Sequence, residues 1–191
     1  MKQAMIDYVQ KDKQDQFDTP SYAVSPLLPY INPKWTVWEP TDTIGNSEIT
    51  KALRKHGCKV VSTSQKKLDF LKTKPAFHYD CIVTNPPYSI KNDFISRCVE
   101  LSEWNRKPWA LLLPLSSLEG VERGKIFRAM GIDFRLLIFD RRVEFTGGSV
   151  WFNTSWFCGG LLPNQVIFAE LQKEQPGLSP RPVLFDRGKQ W

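Results

Sequence analysis

Asp80-Cys81-Ile82-Val83-Thr84-Asn85-Pro86-Pro87-Tyr88 is the stretch that decides how this chain folds. Cys81 to Thr84 is a short apolar, β-branched run of the kind that forms a buried strand. The two prolines stop it abruptly, because each fixes φ, removes a backbone donor and drives the preceding residue out of the helical region. From Lys91 to Trp104, Phe94, Ile95, Cys98 and Leu101 recur at helical spacing, so the strand turns sharply into an amphipathic helix.

The same alternation extends in both directions. Upstream, Trp35 to Glu39 reads as a first strand and Asn46 to His56 as a helix with Ile49, Ala52 and Leu53 on one face, ended by Gly57. Cys58 to Ser62 is a second strand, and a third short element is expected near Leu68 to Leu71. Downstream come a buried strand from Trp109 to Leu113 ended by Pro114, a helix from Val121 to Met130 and a strand from Phe134 to Phe139. Val150 to Cys158 is the last strong strand, and Gln165 to Glu170 is ambiguous. Strands alternating with helices predict an α/β fold with a mostly parallel sheet. In such sheets ligands sit outside the carboxyl ends of the strands, where Glu39-Pro40, Asp69-Phe70 and Asn85 to Tyr88 all fall.

At 191 residues the chain suits one domain, and 41% hydrophobic with 24% charged residues is a globular profile. Residues 1–16 read as a polar lead-in, 17–173 as the domain and 174–191, with Pro176, Pro180 and Pro182, as an extended tail or an arm that lies on a partner. No apolar run approaches the roughly 18 residues that cross a bilayer, and the polar N-terminus has no leader-like apolar segment, so a cytoplasmic protein without membrane contact is expected. Cys58, Cys81, Cys98 and Cys158 are widely spaced and only two histidines accompany them, so we expect reduced thiols and no metal. A net charge of +6 favours a polyanionic partner.

Asn-Pro-Pro-Tyr at a strand end has a specific chemical use. An exocyclic amine conjugated to an aromatic ring is a poor nucleophile, because its lone pair is delocalised into the ring. If the Asn85 side-chain oxygen and the Pro86 carbonyl converge, each can accept one N–H and favour the pyramidal amine whose lone pair is free. Such contacts act mainly in the transition state, where one can contribute about 3 kcal/mol. Pro86 and Pro87 hold the turn with little entropy left to lose. Tyr88 offers a face for base stacking, at about 1–3 kcal/mol per base. A duplex base would have to be flipped out to reach it.

On these residues the chain resembles the class I, Rossmann-like methyltransferases that modify adenine N6, particularly the short phage and plasmid type. The resemblance covers roughly residues 17 to 160. Phe17-Asp18-Thr19-Pro20 looks like that family's N-terminal Phe-x-Thr-Pro element, Trp38-Glu39-Pro40 its first cofactor motif, and Asp69-Phe70 its adenine-contacting pair. Ala110 to Pro114 and Ser155-Trp156-Phe157 resemble its later strands. The resemblance implies a single Rossmann-like domain, with an antiparallel last strand and helices on both faces. It also implies S-adenosyl-L-methionine as cofactor and DNA as partner. Asn85, Pro86, Pro87 and Tyr88 would form the catalytic motif. Phe17, Thr19, Pro20, Glu39, Pro40, Gly45, Ser47, Asp69, Phe70 and Asn85 would bind the cofactor, with backbone amides from Gly45 to Ser47 near its methionine end.

The chain departs from the family pattern in three places. The loop after Glu39-Pro40 is long and carries Ser47 where a second glycine is usual. Val61-Ser62-Thr63-Ser64 supplies no acidic residue for the ribose, so hydroxyls would have to serve. No stretch is long enough for a target-recognition region. Readout would fall to loops such as Ser116 to Lys125 or Arg141 to Gly148, to a second copy in a homodimer, or to a separate specificity subunit. Arg123, Lys125, Arg128, Arg141 and Arg142 are the candidates for phosphate contact. The same four-residue motif also serves methylation of RNA adenine and of glutamine amides, and the altered loop leaves a catalytically inactive nucleic-acid-binding relative as a further alternative.

Overall fold

Apolar residues on both faces of each central strand require cover on both sides, which helices supply. A computed structural model of the protein describes residues 19–64, 69–72, 74–145 and 153–172. In chain order its elements are α1 (Ser21–Val24), a 3-10 segment (Ser25–Tyr30), β1 (Thr36–Glu39), α2 (Glu48–His56), β2 (Lys59–Ser62) and β3 (Cys81–Thr84). They continue with a 3-10 turn (Tyr88–Ile90), α3 (Lys91–Asn105), β4 (Trp109–Pro114), α4 (Val121–Met130), β5 (Phe134–Phe139), β6 (Thr154–Gly159) and β7 (Val166–Ala169).

The seven strands form one sheet in the order β2-β1-β3-β4-β6-β5-β7. β2, β1, β3 and β4 run parallel, β6 lies antiparallel between β4 and β5, and β7 joins β5 in parallel. Every strand except β6 therefore ends on the same edge. Val37, Cys81, Val83, Ala110 and Leu112 turn to one face, under Ala23, Val24, Leu27, Ile49 and Leu53. Trp38, Ile82, Leu111 and Leu113 turn to the other, under Phe94, Ile95, Cys98 and Leu101 of α3, with Ile126 and Phe127 of α4 packed alongside. Burial on both faces is why these strands read as continuous apolar runs.

The antiparallel strand is β6, the last strong strand of the sequence, and the ambiguous 165–170 stretch supplies the edge strand β7. α2 begins later than Asn46 because Ser47 caps it, its hydroxyl accepting the Thr50 amide at 3.2 Å. Gly57 ends α2 at φ 112°, where a side chain would be strained. The third element expected near Leu68 to Leu71 is, in its described part, a turn and not a strand. The Asp69 carboxylate accepts the Leu71 amide at 2.9 Å, and the Lys72 amide closes on the Asp69 carbonyl at 3.2 Å. An aspartate bonding to its own following backbone competes with strand pairing.

Residues 1–16, Phe17, the tail from 174 and residues 150–152 of the last predicted strand lie outside the described residues. α1 carries no periodic signal in the sequence. It is pinned to the sheet by the buried Trp156 indole, which donates to the Ala23 carbonyl at 2.8 Å. Among the described residues no helix is long and apolar enough to cross a membrane, and no His, Cys, Asp and Glu group is arranged to hold a metal. The four cysteines are buried and unbridged.

Candidate active site

β1 and β3 are hydrogen-bonded neighbours, so their carboxyl ends bring Glu39 and Asn85 together on the common edge. Glu39 is 1% exposed. Its Oε1 accepts the Thr84 hydroxyl at 2.5 Å, the Thr41 hydroxyl at 2.8 Å and the Thr41 amide at 3.3 Å. Its Oε2 is buried with no hydrogen-bond partner. Burial pushes the carboxyl up to about 7, against the lowering effect of the Thr84 and Thr41 hydroxyls, with Asp42 adding like-charge repulsion.

In register beside Glu39 stands Ser62 at the end of β2, and the Ser62 Oγ is likewise buried without a hydrogen-bond partner. Two incomplete polar groups side by side at a sheet edge are an unusual arrangement, because buried polar atoms are nearly always paired. A ligand carrying a cation and a hydroxyl would complete both.

The loop from Thr41 to Ser47 is organised from within. Asp42 is 4% exposed, and its Oδ1 accepts the amides of Ile44 at 3.1 Å and Gly45 at 2.7 Å. Its Oδ2 accepts the Ser47 amide at 3.0 Å and the Thr50 hydroxyl at 2.6 Å. Burial alone would raise this carboxyl, but the bonds from Thr50, Ser47, Ile44 and Gly45 outweigh it and hold it below the usual range. The Gly45 and Ser47 amides, expected to face a cofactor, are thus turned onto Asp42. Gly45 itself has φ 66°, and its carbonyl accepts Arg54 at 2.8 Å.

At the end of β3, the Asn85 Nδ2 donates to the Thr19 hydroxyl at 3.0 Å, and Thr19 is 6% exposed. The N-terminal Thr-Pro element is therefore joined to the Asn-Pro-Pro-Tyr turn, and Pro20 caps α1 beside it. Pro40, Pro86 and Pro87 are buried. The Asn85 carbonyl lies 3.3 Å from the Thr41 hydroxyl, which in turn is 2.7 Å from the Thr84 hydroxyl. Tyr88 is 7% exposed and sits in the α3-side core, so the stacking role read from sequence requires its ring to become more accessible than it is here.

Phe70 and Asp69 are less favourably placed for the roles read from sequence. Phe70 is 4% exposed, stacked on Phe94 with ring centres 4.9 Å apart and edge-on to Trp38 at 5.0 Å, so both neighbours are already aromatic. Asp69 is on the surface, 3.5 Å from the Lys72 ammonium. Among the described contacts none joins Asp69 to Glu39 or Asn85.

Of the basic candidates, Arg123 is a staple for its own loop, bonding the carbonyls of Ser117 and Glu119 and the Asn92 side chain. Lys125 pairs with Glu122 at 2.8 Å and Arg141 with Asp140 at 3.1 Å. Arg142 donates to Asn153 at 2.9 Å. Arg141, Arg142, Asn153 and Thr154 line an open cavity of about 250 Å³ where β4 and β5 end and β6 begins, on the same edge as Glu39 and Asn85.

Thr41, Asp42 and Thr84 are parts of this site that the sequence did not single out, whereas Ser62 is one of the hydroxyls expected to serve in place of an acidic residue at the end of the second strand. Asp42 had a visible signal, since an aspartate five residues before a serine cap fits loop-amide bonding. Thr84 had none, because a β-branched residue at the end of a buried strand is ordinary.

No family profile and no curated protein matches the chain. Solved structures do. The methyltransferase subunit of a type I restriction-modification system from Streptococcus thermophilus matches with a TM-score of 0.50 at 16% identity, over 81% of this chain and 47% of its own. The 23S rRNA methyltransferase ErmE matches with a TM-score of 0.50 at 14% identity, over 78% of this chain and 71% of its own. This chain therefore spans about half the length of the restriction-modification subunit. At these identities the likeness is one of fold. The shared fold is the α/β arrangement of a mostly parallel sheet covered by helices on both faces.

Proposed function

We propose that this chain transfers a methyl group from S-adenosyl-L-methionine to the N6 amine of adenine in DNA. The observation that carries this reading is the convergence at one sheet edge of the Asn85 turn and the buried, half-satisfied Glu39 carboxyl. They are joined through Thr41. A methyltransferase fold whose catalytic edge presents an amine-binding turn beside a carboxylate suited to an ammonium fits this chemistry.

The roles follow from position. Glu39 Oε2 would take the ammonium of the donor, and the Ser62 hydroxyl would serve the ribose in place of the missing acidic residue. The donor's sulfonium supplies the methyl group, with the S–CH3 electron pair leaving on sulfur. Asn85, oriented through its Nδ2 bond to Thr19, would present Oδ1 to one amine hydrogen while the Pro86 carbonyl accepts the other. As the N–CH3 bond forms, nitrogen becomes positive, both acceptors are strengthened, and the surplus proton passes to water. Pro87 and Tyr88 shape the turn. Arg141 and Arg142, beside the cavity on the same edge, would meet phosphates, and a second copy or a specificity subunit would supply site recognition. Residues 17–173 would act as the methyltransferase domain in the cytoplasm.

The experiment is to incubate the protein with methyl-labelled cofactor and DNA, RNA and protein together, then digest and separate the products. Label in N6-methyl-2′-deoxyadenosine is the expected result. Label in RNA adenosine changes the acceptor, label in glutamine removes nucleic acid from the reading, and no label in any product overturns the enzymatic assignment.

A further inference from the structure

The hydroxyls of Thr41 and Thr84 lie between the two halves of the site and belong to neither. Thr84 is fully buried at the end of β3, its hydroxyl bonded to Glu39 and 2.7 Å from the Thr41 hydroxyl. Thr41 is half-buried, and its single hydroxyl proton has three acceptors in range: Glu39 Oε1 at 2.8 Å, Thr84 Oγ1 at 2.7 Å and the Asn85 carbonyl at 3.3 Å. One proton cannot serve all three. Which acceptor it serves depends on the charge of Glu39, because a hydrogen bond to an ionised carboxylate is roughly twice as strong as one to a neutral acceptor.

We infer that Thr41 and Thr84 are positioning residues that couple donor binding at Glu39 to amine binding at Asn85, so that an occupied donor site tightens the grip on the acceptor. A cation beside the unpartnered Oε2 fixes Glu39 in its ionised form and thereby fixes both hydroxyls. With both hydroxyls held on Glu39, the Asn85 carbonyl, in the peptide unit that leads into Pro86, no longer competes for the Thr41 proton, and the turn carrying the amine acceptors meets the base with one hydrogen-bond arrangement and not several. Ordering a shared network once lets the second ligand bind with less left to order. This inference rests on the function proposed above.

The test measures coupling and not turnover. A fluorescent single-stranded oligodeoxyadenylate is titrated with the full chain, with and without saturating S-adenosylhomocysteine, for wild type, Thr84→Val and Thr84→Ser. S-adenosylhomocysteine binding is followed separately by calorimetry. Wild type should bind the oligonucleotide at least about fivefold more tightly with the donor analogue present. Thr84→Val should bring that ratio close to one, and Thr84→Ser, which keeps the hydroxyl, should restore it. A purely structural threonine would lower the melting temperature of Thr84→Val without changing the ratio. If Thr84→Val does not fold, Thr41→Val at the more exposed partner should give the same loss. An unchanged ratio in the valine variant, or no coupling in wild type, overturns the inference while leaving the donor site intact. Analogue binding without oligonucleotide binding also overturns it, on the acceptor side alone. No analogue binding to wild type overturns the proposed function and the inference together.

Discussion

Asn85 Nδ2 donates to Thr19 Oγ1 at 3.0 Å, joining the turn after β3 to a segment 66 residues earlier in the chain. The bond uses one of the two amide N–H groups and so fixes which end of the side chain is the nitrogen and which the accepting oxygen. Asn85→Ala should retain donor binding and lose roughly 100- to 1,000-fold in kcat, the cost of removing one aimed hydrogen bond from a transition state. Thr19→Val should lower kcat in the same direction by a smaller factor. Steady-state kinetics with calorimetry of the donor separates the two effects, and unchanged turnover in Asn85→Ala contradicts the role.

Glu39 makes stability depend on pH in the sense opposite to most carboxylates. Folded, it holds its proton up to about pH 7, whereas its ordinary value is 4.5, so the folded state binds more protons between these values. The stability Glu39 contributes is present below about pH 4.5 and is lost as the pH rises through 7. Glu39→Gln, which never ionises, should flatten this profile by up to roughly 3 kcal/mol at alkaline pH. Urea unfolding of both proteins across the range checks it, and parallel profiles contradict it.

Donor binding should release a proton. An ammonium settling against Glu39 Oε2 ionises a carboxyl that burial leaves partly protonated near neutral pH. Calorimetry of S-adenosylhomocysteine near pH 7 in buffers of different ionisation enthalpy should therefore report net proton release, a fraction of a proton per site. Glu39→Gln should report none from this group, together with weaker binding.

Asp42 holds three loop amides and the Thr50 hydroxyl inside the fold. Asp42→Ala should cost about 3 kcal/mol, because it leaves several buried donors unmet. Its lowered pKa gives the usual sign: the stability is present at neutral pH and is lost as the pH falls through the folded value. Chemical denaturation of the variant measures both.

Gly159 pairs in register with Trp109, and a Cβ there would stand 2.3 Å from the indole Nε1. Gly159→Ala should therefore destabilise the β4–β6 pairing by roughly 1–3 kcal/mol through overpacking, read from the shift in melting temperature.

Most of this architecture was legible because the strands are buried on both faces and the helices carry their apolar residues at regular spacing. Cys81 to Thr84, ended by Pro86 and Pro87, is the plainest case. The α3 face of Phe94, Ile95, Cys98 and Leu101 emerged as read. α1 was illegible because a four-residue helix has too little length for periodicity, and it owes its place to the Trp156 bond from far along the chain. The site was legible where proline and asparagine carry fixed backbone meaning. It was illegible where function depends on which neighbour a hydroxyl or carboxyl meets: Thr41 and Thr84 declare themselves only once β1 and β3 lie side by side.

The most direct test of methyl transfer at Asn85 compares wild type with Asn85→Ala. Each protein is incubated with S-adenosyl-L-methionine and unmethylated DNA, and nuclease digests are analysed by mass spectrometry for N6-methyl-2′-deoxyadenosine. The modified nucleoside is expected in the wild-type digest, with at least about a hundredfold less from the variant. Equal amounts from the two proteins, or none from wild type that binds the cofactor, would contradict methyl transfer at Asn85.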